Sequence, residues 1–394
     1  MPEEEVGQTQ DILSGADEDT QEYLGEPIVH QVRRKSSFNY CPFQISIDIY
    51  NGCTNACAYC FSKTRIDSAR NRFLESRRQY KADGVMRHFK KIIETKEIGL
   101  YKFIKSRMPV ELSILTDAFQ AGLELKQGAS LKTLKFLNSI HYPVVICSKS
   151  VDTLARPEYW DELMKAHRHG KRLLFKTSIS SFDDAIAKRL EPGAPAPSER
   201  LAFVKRLRRE GVGCILRVQP MILGHSLETL KKNMKVVKAT GVQRIIAEPL
   251  RVSKVSYDRQ FKTIFEVLNI PVKDYFKEYG SGGSFGSASW IEYDHNIMRR
   301  EFMAIKEVVN ENGMLFSPTG SYYGWPNLDL ADMKRYCCEV PGYENLAIDT
   351  EALTVRFAQK RLSELTLDIK DRTEYYIECS RAEFVNNPAQ MKFW

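Results

Sequence analysis

The chain has 394 residues, of which 43% are hydrophobic and 27% are charged, a composition typical of a globular protein with a large core. It contains no run of about 18 or more apolar residues, so we expect no membrane span, and its first thirty residues lack the basic start and apolar stretch of a secretion signal. We therefore expect a cytoplasmic protein, and in that reducing compartment its nine cysteines argue against a disulfide framework.

Charge is distributed unevenly along the chain. Residues 1–26 contain nine Asp or Glu and no Lys or Arg, so the rest of the chain holds 58 basic against 41 acidic side chains. An excess of 17 positive charges attracts polyanions, among which nucleic acid is the obvious candidate, although a solvated lysine-rich surface is an equally good interpretation. We expect residues 1–36 to form an acidic flexible tail.

After the tail, strand-like apolar runs alternate with helical patterns. The runs predict six strands, at residues 44–50, 110–116, 144–148, 172–178, 213–221 and 244–250. The patterns between them predict five helices, near residues 77–94, 131–138, 159–169, 200–211 and 226–240. Alternation of this kind indicates βαβ units around a parallel sheet, either an open doubly wound sheet or a partial barrel.

Beyond about residue 255 the alternation stops. Residues 280–289 are rich in Gly and Ser and predict a mobile loop, and residues 298–312 predict a helix. An aromatic, turn-rich stretch follows, which contains Phe316, Tyr322, Tyr323 and Trp325. We expect residues 37–255 to form the sheet domain and residues 256–394 a mainly helical extension, either a lid or substrate-binding region or a helical layer that closes the open edge.

Polar residues follow the predicted strands where the strands end. Thr116 and Asp117 follow the second strand, Lys149 the third and Ser178 the fourth, while Glu248 ends the sixth. Because parallel strands present their carboxyl ends at one edge of the sheet, this is where functional groups are expected to meet.

The loop after the first strand holds three cysteines within eight residues, in the stretch NGCTNACAYCF at 51–61. Structural zinc normally needs two ligand pairs, and there is no second pair near Cys53, Cys57 and Cys60. A [4Fe–4S] cluster normally takes four thiolates, so three would leave one iron open to a substrate or cofactor. We favour the iron–sulfur interpretation, with another metal site as the alternative.

The spacing Cys53-x3-Cys57-x2-Cys60, with Tyr59 before the last cysteine, resembles the signature of radical S-adenosylmethionine (SAM) enzymes. Further segments resemble the spore photoproduct lyase-like branch of that superfamily: LTDAFQ at 115–120, CSKS at 147–150, KTSIS at 176–180 and RLEPGAPAPSERL at 189–201. The likeness covers roughly residues 40–255.

This resemblance implies an α/β fold, a partial (βα)6 TIM-like barrel, with SAM bound across its top. It implies a [4Fe–4S] cluster on Cys53, Cys57 and Cys60, whose open iron chelates SAM. The reduced cluster of such enzymes cleaves SAM to methionine and a 5′-deoxyadenosyl radical that abstracts hydrogen from a substrate. An external electron donor such as flavodoxin or ferredoxin is implied as well.

The same resemblance suggests residues that bind SAM. Tyr59 would pack beside the adenine, and Thr116 and Asp117 stand where the superfamily binds the amino group, in place of its commoner Gly-Gly-Glu form. Lys149 and Ser178 are candidates for the SAM carboxylate or ribose. Two further candidates, Arg217 and Gln219, share a face of the fifth predicted strand, and ordinary strand-end polarity is the alternative for them all.

The lyase that names the branch repairs a cross-linked thymine dimer in DNA with the help of a cysteine that returns hydrogen. The candidates for such a cysteine are Cys147, Cys214, Cys337, Cys338 and Cys379. Strand alternation places Cys147 on the same face as Lys149, which makes it the best candidate, although a buried core cysteine is the plainer interpretation.

Three functions follow as hypotheses. The favoured one is a lyase or isomerase that acts on a modified pyrimidine base in DNA, with the aromatic residues 316–325 holding an extruded base. The second is a radical SAM enzyme that modifies a protein or peptide. The third is a nucleic-acid-binding protein whose cluster is structural or redox-sensing.

Overall fold

The structure is a computed structural model. It describes residues 33–34, 43, 45–50, 52–60, 62, 82–95, 100, 103–104, 108–112, 114–170, 172–250, 262–279, 293–319, 338 and 340. The predicted acidic tail therefore lies outside the described residues except for Arg33 and Arg34, and so do the predicted loop at 280–289 and Tyr322, Tyr323 and Trp325.

The described strands form one sheet in chain order. They are β1 (Arg33–Arg34), β2 (Ile45–Ile47), β3 (Val110–Leu112), β4 (Val144–Cys147), β5 (Leu173–Ser178), β6 (Gly213–Met221), β7 (Arg244–Pro249) and β8 (Leu315–Pro318). β1 pairs with β2 in antiparallel orientation, and β2 to β8 are parallel. Among the described residues the two edges of the sheet do not pair, so the barrel is open.

Helices connect the parallel strands. They are α1 (Ala82–Thr95), α2 (Ala121–Gln127), α3 (Ala129–Ser139), α4 (Val151–Leu154), α5 (Pro157–Arg168), α6 (Asp184–Leu190), α7 (Pro197–Arg209), α8 (Ser226–Ala239), α9 (Lys262–Leu268), α10 (Val272–Tyr279) and α11 (His295–Glu311). All six predicted strands and the predicted helices between them are present, and the predicted partial barrel is confirmed.

Local sequence explains where several helices begin. The Asp183 carboxylate caps α6 by accepting hydrogen bonds from Ala185 N and Ile186 N. Asp294 caps α11 in the same way. Pro157 and Pro197 occupy the first turns of α5 and α7, where their fixed φ suits a helix and the missing N–H would have had no intrahelical acceptor.

The sheet continues beyond the six predicted strands, contrary to the expectation that alternation stops near residue 255. β8 pairs in parallel with β7, and α11 precedes it as a crossover helix. Phe316 belongs to β8 and is 3% exposed, so it packs in the core and is not available to hold an extruded base. The sequence missed this strand because only four residues form it and Pro318 ends it.

Two apolar clusters lie on the two faces of the sheet. The larger one lies between the sheet and the surrounding helices. The smaller one, which we call the inner cluster, consists of Phe43, Val145, Leu174, Ile215, Ile246, Cys338 and Val340. Its strand residues project to the concave side, where residues 338 and 340 of the C-terminal region cover them. Among the described helices, none has the length and apolarity needed to cross a membrane.

Candidate functional site

The three neighbouring cysteines lie on the loop that follows β2, at the carboxyl edge of the sheet. Cys53 and Cys57 are buried, each 9% exposed, and Cys60 is partly exposed. Ala56, between the first two, adopts a left-handed backbone with φ of 53°, which costs a non-glycine residue about 1 kcal/mol or more. Surrounding contacts must therefore stabilise the loop in this conformation.

Gln120 provides one set of these contacts. Its Nε2 donates to Gly52 O at 2.7 Å, and its Oε1 accepts from Thr54 N at 2.6 Å. One side chain therefore holds the backbone on both sides of Cys53.

The segment after α6 holds the loop from the other side. Ala58 N donates to Leu190 O at 2.8 Å, and Gly193 N donates to Asn55 O at 3.1 Å. The two backbones approach so closely at Gly193 that a Cβ there would lie 2.0 Å from Thr54 O. Only glycine fits at this contact.

Asp117 joins the cysteine loop to the ends of β3 and β4. Its carboxylate accepts from Asn55 Nδ2 at 3.0 Å, Ser148 Oγ at 2.7 Å, Lys149 N at 2.8 Å and Phe119 N at 3.0 Å. Both oxygens are therefore occupied by protein donors. Asp117 positions two loops, and its predicted role toward the SAM amino group stays a prediction.

A largely buried network of charged and polar side chains, the Glu191 network, lies beneath the loop and consists of Glu191, Arg200, Lys149, Tyr59 and Ser180. Glu191 forms an ion pair with Arg200 in which each side chain is 1% exposed. It also accepts from Tyr59 OH and from Ser180 Oγ, the latter at 3.0 Å, and lies 3.2 Å from Lys149 Nζ. Burial raises the pKa of Glu191, while Arg200 acts in the opposite direction.

Arg200 connects this network to the strand above it. Its Nη1 donates to Ser178 O at 2.7 Å and its Nε to Pro195 O at 2.8 Å. Each of its three guanidinium nitrogens therefore donates to a protein acceptor. The Arg200 guanidinium holds the end of β5 and the loop before α7 in one arrangement.

Lys149 connects the Glu191 network to Cys57. Its Nζ lies 3.3 Å from Cys57 Sγ and 2.7 Å from Tyr59 OH. Burial raises the pKa of the Cys57 thiol to about 11, and Lys149 opposes that shift. The pKa of Cys53 is also raised, first by burial and then by the charges of Asp117, Cys57 and Cys60.

These observations test whether the three cysteines suit an iron–sulfur cluster. The three thiols are close enough to influence one another's ionisation, and thiolates are the ligands that such clusters take. Within the described part of the chain, no three His, Cys, Asp or Glu side chains converge on a single metal ion. A cluster does not require such convergence, because each thiolate binds a different iron atom. The donor set fits a cluster and does not fit a closed zinc site.

A second polar layer lies on the concave face of the sheet. Lys176 forms an ion pair with Glu111, in which the side chains are 4% and 5% exposed, and its Nζ lies 3.9 Å from Cys338 Sγ. Arg217 Nη1 donates to Cys147 Sγ. We call these side chains, together with Gln219 and Glu248, the inner polar layer; its members are Glu111, Cys147, Lys176, Arg217, Gln219, Glu248 and Cys338.

Gln219 links the two sides of that layer. Arg217 Nη2 donates to Gln219 Oε1, and Gln219 Nε2 donates to Glu248 Oε2. The amide orientation is thus set by a cation on one side and a carboxylate on the other. Arg217 and Gln219 lie together as strand alternation predicts, although the register with β7 shifts between Val218 and Met221.

The structure brings some predicted site residues together and separates others. Tyr59 and Lys149 meet at Cys57, whereas Cys147, Arg217 and Gln219 meet on the concave face. The expectation that Cys147 and Lys149 share a face is wrong, because β4 ends at Cys147 and Lys149 turns toward the cysteine loop.

The remaining predicted residues lie nearby. Thr116 Oγ1 donates to Tyr50 O at 2.9 Å, which ties the end of β3 to the end of β2. Ser178 ends β5 and is partly exposed, with its carbonyl bound by Arg200. No observation assigns either residue to SAM, and both roles stay predictions.

Sequence reasoning gave no role to several residues that shape the site. Glu191 and Arg200 lie in the 189–201 stretch, and the sequence did not reveal that they form a buried ion pair. Asp48 was missed as well: its Oδ1 accepts from Ile114 N at 2.8 Å and from Leu115 N at 2.6 Å. A carboxylate directly after an apolar strand was the only available signal for Asp48.

Comparison with known proteins finds distant relatives over part of the chain. No protein-family model matches the chain. Uncharacterised proteins of Mycobacterium tuberculosis and Mycobacterium bovis are 25% identical over 229 residues, which cover 54% of this chain and 63% of each relative. The match thus spans less than two thirds of the length of these curated relatives.

Solved structures of spore photoproduct lyase share the architecture. One variant superposes with a TM-score of 0.53 at 16% identity, covering 78% of this chain and 87% of the lyase. The lyase complexed with dinucleoside spore photoproduct gives 0.51 at 17% identity, covering 73% and 81%. This chain therefore has the fold of spore photoproduct lyase, as the resemblance predicted.

Proposed function

We propose that this chain is a radical SAM enzyme that holds a [4Fe–4S] cluster on Cys53, Cys57 and Cys60. The observation that carries this proposal is the geometry of the cysteine loop: three thiols at the carboxyl edge of the sheet, fixed on one side by Asp117 and Gln120 and on the other by the segment after α6. The shared fold supports it. When bound, the reduced cluster would supply an electron for cleavage of SAM to methionine and a 5′-deoxyadenosyl radical.

The chain's own residues would position reactants and exclude water. Cys53 and Cys57 are 9% exposed, so water has little access to two of the three ligands. The Glu191 network holds Tyr59 and Lys149 beside Cys57 with few degrees of freedom. Such fixed surroundings protect a reactive intermediate from stray hydrogen donors.

The substrate that we propose is a modified pyrimidine base in DNA, acted on by lyase or isomerase chemistry. The excess of positive charge in residues 27–394 favours a polyanion. The inner polar layer favours a neutral group of the substrate, because its two cations already have partners. Lys176 is paired with Glu111, and Arg217 is connected to Glu248 through Gln219. A solved lyase of the same fold holds a dinucleoside photoproduct, which is consistent with this substrate class.

Cys147 is the residue that we propose to return hydrogen to a substrate radical. It lies at the end of β4 on the concave face, 9% exposed and against Arg217. A Cys147→Ala chain should still cleave SAM but form a different distribution of substrate products, since only the final hydrogen transfer would be lost. A Cys147→Ala chain whose products match the parent's would contradict this role.

The deciding experiment measures 5′-deoxyadenosine released from SAM by anaerobically reconstituted, dithionite-reduced protein, with and without duplex DNA. The parent chain should release it, and Cys57→Ala should not. Cys214→Ala is the matched control, because Cys214 is also a buried cysteine but lies in β6. Transfer of deuterium from labelled thymine into 5′-deoxyadenosine would identify the base as the hydrogen source.

The other outcomes separate the alternatives. Release that DNA does not change would keep the radical enzyme and point to a protein, peptide or small-molecule substrate. No release from a chain with a complete cluster would contradict the enzyme and favour a structural or redox-sensing cluster.

A further inference from the structure

We propose that Lys149 tunes the reduction potential of the iron–sulfur cluster through its contact with Cys57, and that Glu191 holds it in that position. The inference rests on the proposed function, since Cys57 must be a cluster ligand. It differs from the role expected from the sequence, in which Lys149 contacts the SAM carboxylate or ribose. Lys149 is a positioning and tuning residue that acts on the cluster through a sulfur atom.

The contacts of the ammonium group carry the argument. An ammonium has three N–H donors, and Lys149 Nζ has three polar neighbours: Tyr59 OH at 2.7 Å, Glu191 Oε1 at 3.2 Å and Cys57 Sγ at 3.3 Å. The donors are matched by acceptors that all belong to the protein.

The position of Lys149 is set from both ends. Its backbone N donates to Asp117 Oδ2 at 2.8 Å, which fixes where the side chain begins. Its Nζ ends in the Glu191 network, where Glu191 is itself held by Arg200. The side chain is only 14% exposed, so water screens its charge weakly.

The physical effect follows from charge. Reduction adds an electron to a cluster held by thiolates, so a nearby positive charge and an N–H group on a ligand sulfur stabilise the reduced state. Glu191 carries the opposite charge and lies one contact further from Cys57. Removal of the Lys149 charge should therefore make the potential more negative, and removal of the Glu191 charge should make it more positive.

The test is a potentiometric titration of the reconstituted cluster, followed by electron paramagnetic resonance, in the parent chain and in Lys149→Met. At a fixed potential the ratio of reduced to oxidised cluster should fall at least about tenfold in Lys149→Met, which for one electron corresponds to about 59 mV. Lys149→Arg keeps the charge and should restore most of the difference. Lys188→Met is the matched control: Lys188 Nζ donates to Pro192 O on the exposed surface, and its loss should leave the potential unchanged.

Glu191→Gln gives an independent check with the opposite sign. If this variant does not fold because Arg200 loses its buried partner, the comparison of Lys149→Met with Lys149→Arg still decides the question. An unchanged potential in Lys149→Met with full iron content would overturn this inference alone. A parent chain that assembles no [4Fe–4S] cluster would overturn the proposed function and this inference with it.

Discussion

Glu191 and Arg200 form an ion pair from which water is almost wholly excluded, with 1% of each side chain exposed. The pair lies between the loop after α6 and the start of α7, and both partners also contact the ends of other elements. Its removal should therefore affect the stability of the whole carboxyl edge and not only of one loop.

Arg200→Ala should lower the free energy of unfolding by about 3–5 kcal/mol, because it leaves the Glu191 carboxylate buried without its cation. Urea denaturation of the purified chain measures this. Arg209→Ala on the exposed side of the same helix is the control and should change stability by less than about 0.5 kcal/mol. Equal effects of the two substitutions would contradict the importance of the buried pair.

Asp117→Asn should reduce both stability and cluster loading. The substitution keeps the shape but replaces one acceptor oxygen by an NH2 group that faces protein donors, at a cost of about 1–3 kcal/mol. Iron and sulfide content after anaerobic reconstitution measures cluster loading. Asp161→Asn, on the exposed face of α5, should load as the parent does. Full loading of Asp117→Asn would show that the cysteine loop does not depend on this carboxylate.

Gly193→Ala should disturb the cysteine loop without touching a cysteine. A Cβ at Gly193 would lie 2.0 Å from Thr54 O, so one of the two backbones must move. We expect iron content after reconstitution to fall by more than half. Gly128→Ala is the control for the cost of placing alanine at a positive φ. Gly128 has φ of 65° but no neighbour within 4 Å of an added Cβ, so this variant should lose about 1–2 kcal/mol of stability and keep its cluster. Normal loading of Gly193→Ala would contradict the close contact.

Duplex DNA should bind the chain with strong salt dependence. Residues 27–394 carry 58 basic against 41 acidic side chains. When a protein binds DNA phosphates, counterions are released, so the logarithm of the affinity falls linearly with the logarithm of the salt concentration. Fluorescence anisotropy with a labelled duplex should show at least about a tenfold weaker affinity at 200 mM than at 50 mM salt. Binding of SAM, measured in the same buffers, serves as the comparison. A DNA affinity that does not change with salt, or no binding at 50 mM, would count against the nucleic-acid substrate.

The strands and helices of the barrel could be predicted from the sequence because their signals are local. A strand such as Val144–Cys147 is a continuous apolar run covered on both faces, and a helix such as α5 shows its starting proline and its basic last turn. β8 could not be predicted in this way, since four residues carry little pattern and its partner β7 lies far away in sequence. The aromatic Phe316 was therefore placed in a binding surface when it belongs to the core.

For the site, the spacing of Cys53, Cys57 and Cys60 could be recognised in the sequence because all three cysteines come from one loop. The partners of that loop became visible only in the tertiary structure, because Lys149 and Glu191 come from different loops and meet only when parallel strands align their carboxyl ends. The direction of a side chain also depends on where its strand ends, which separated Lys149 from Cys147. Local spacing is thus enough to single out this group of cysteines, whereas the charged side chains beside them depend on packing between distant segments.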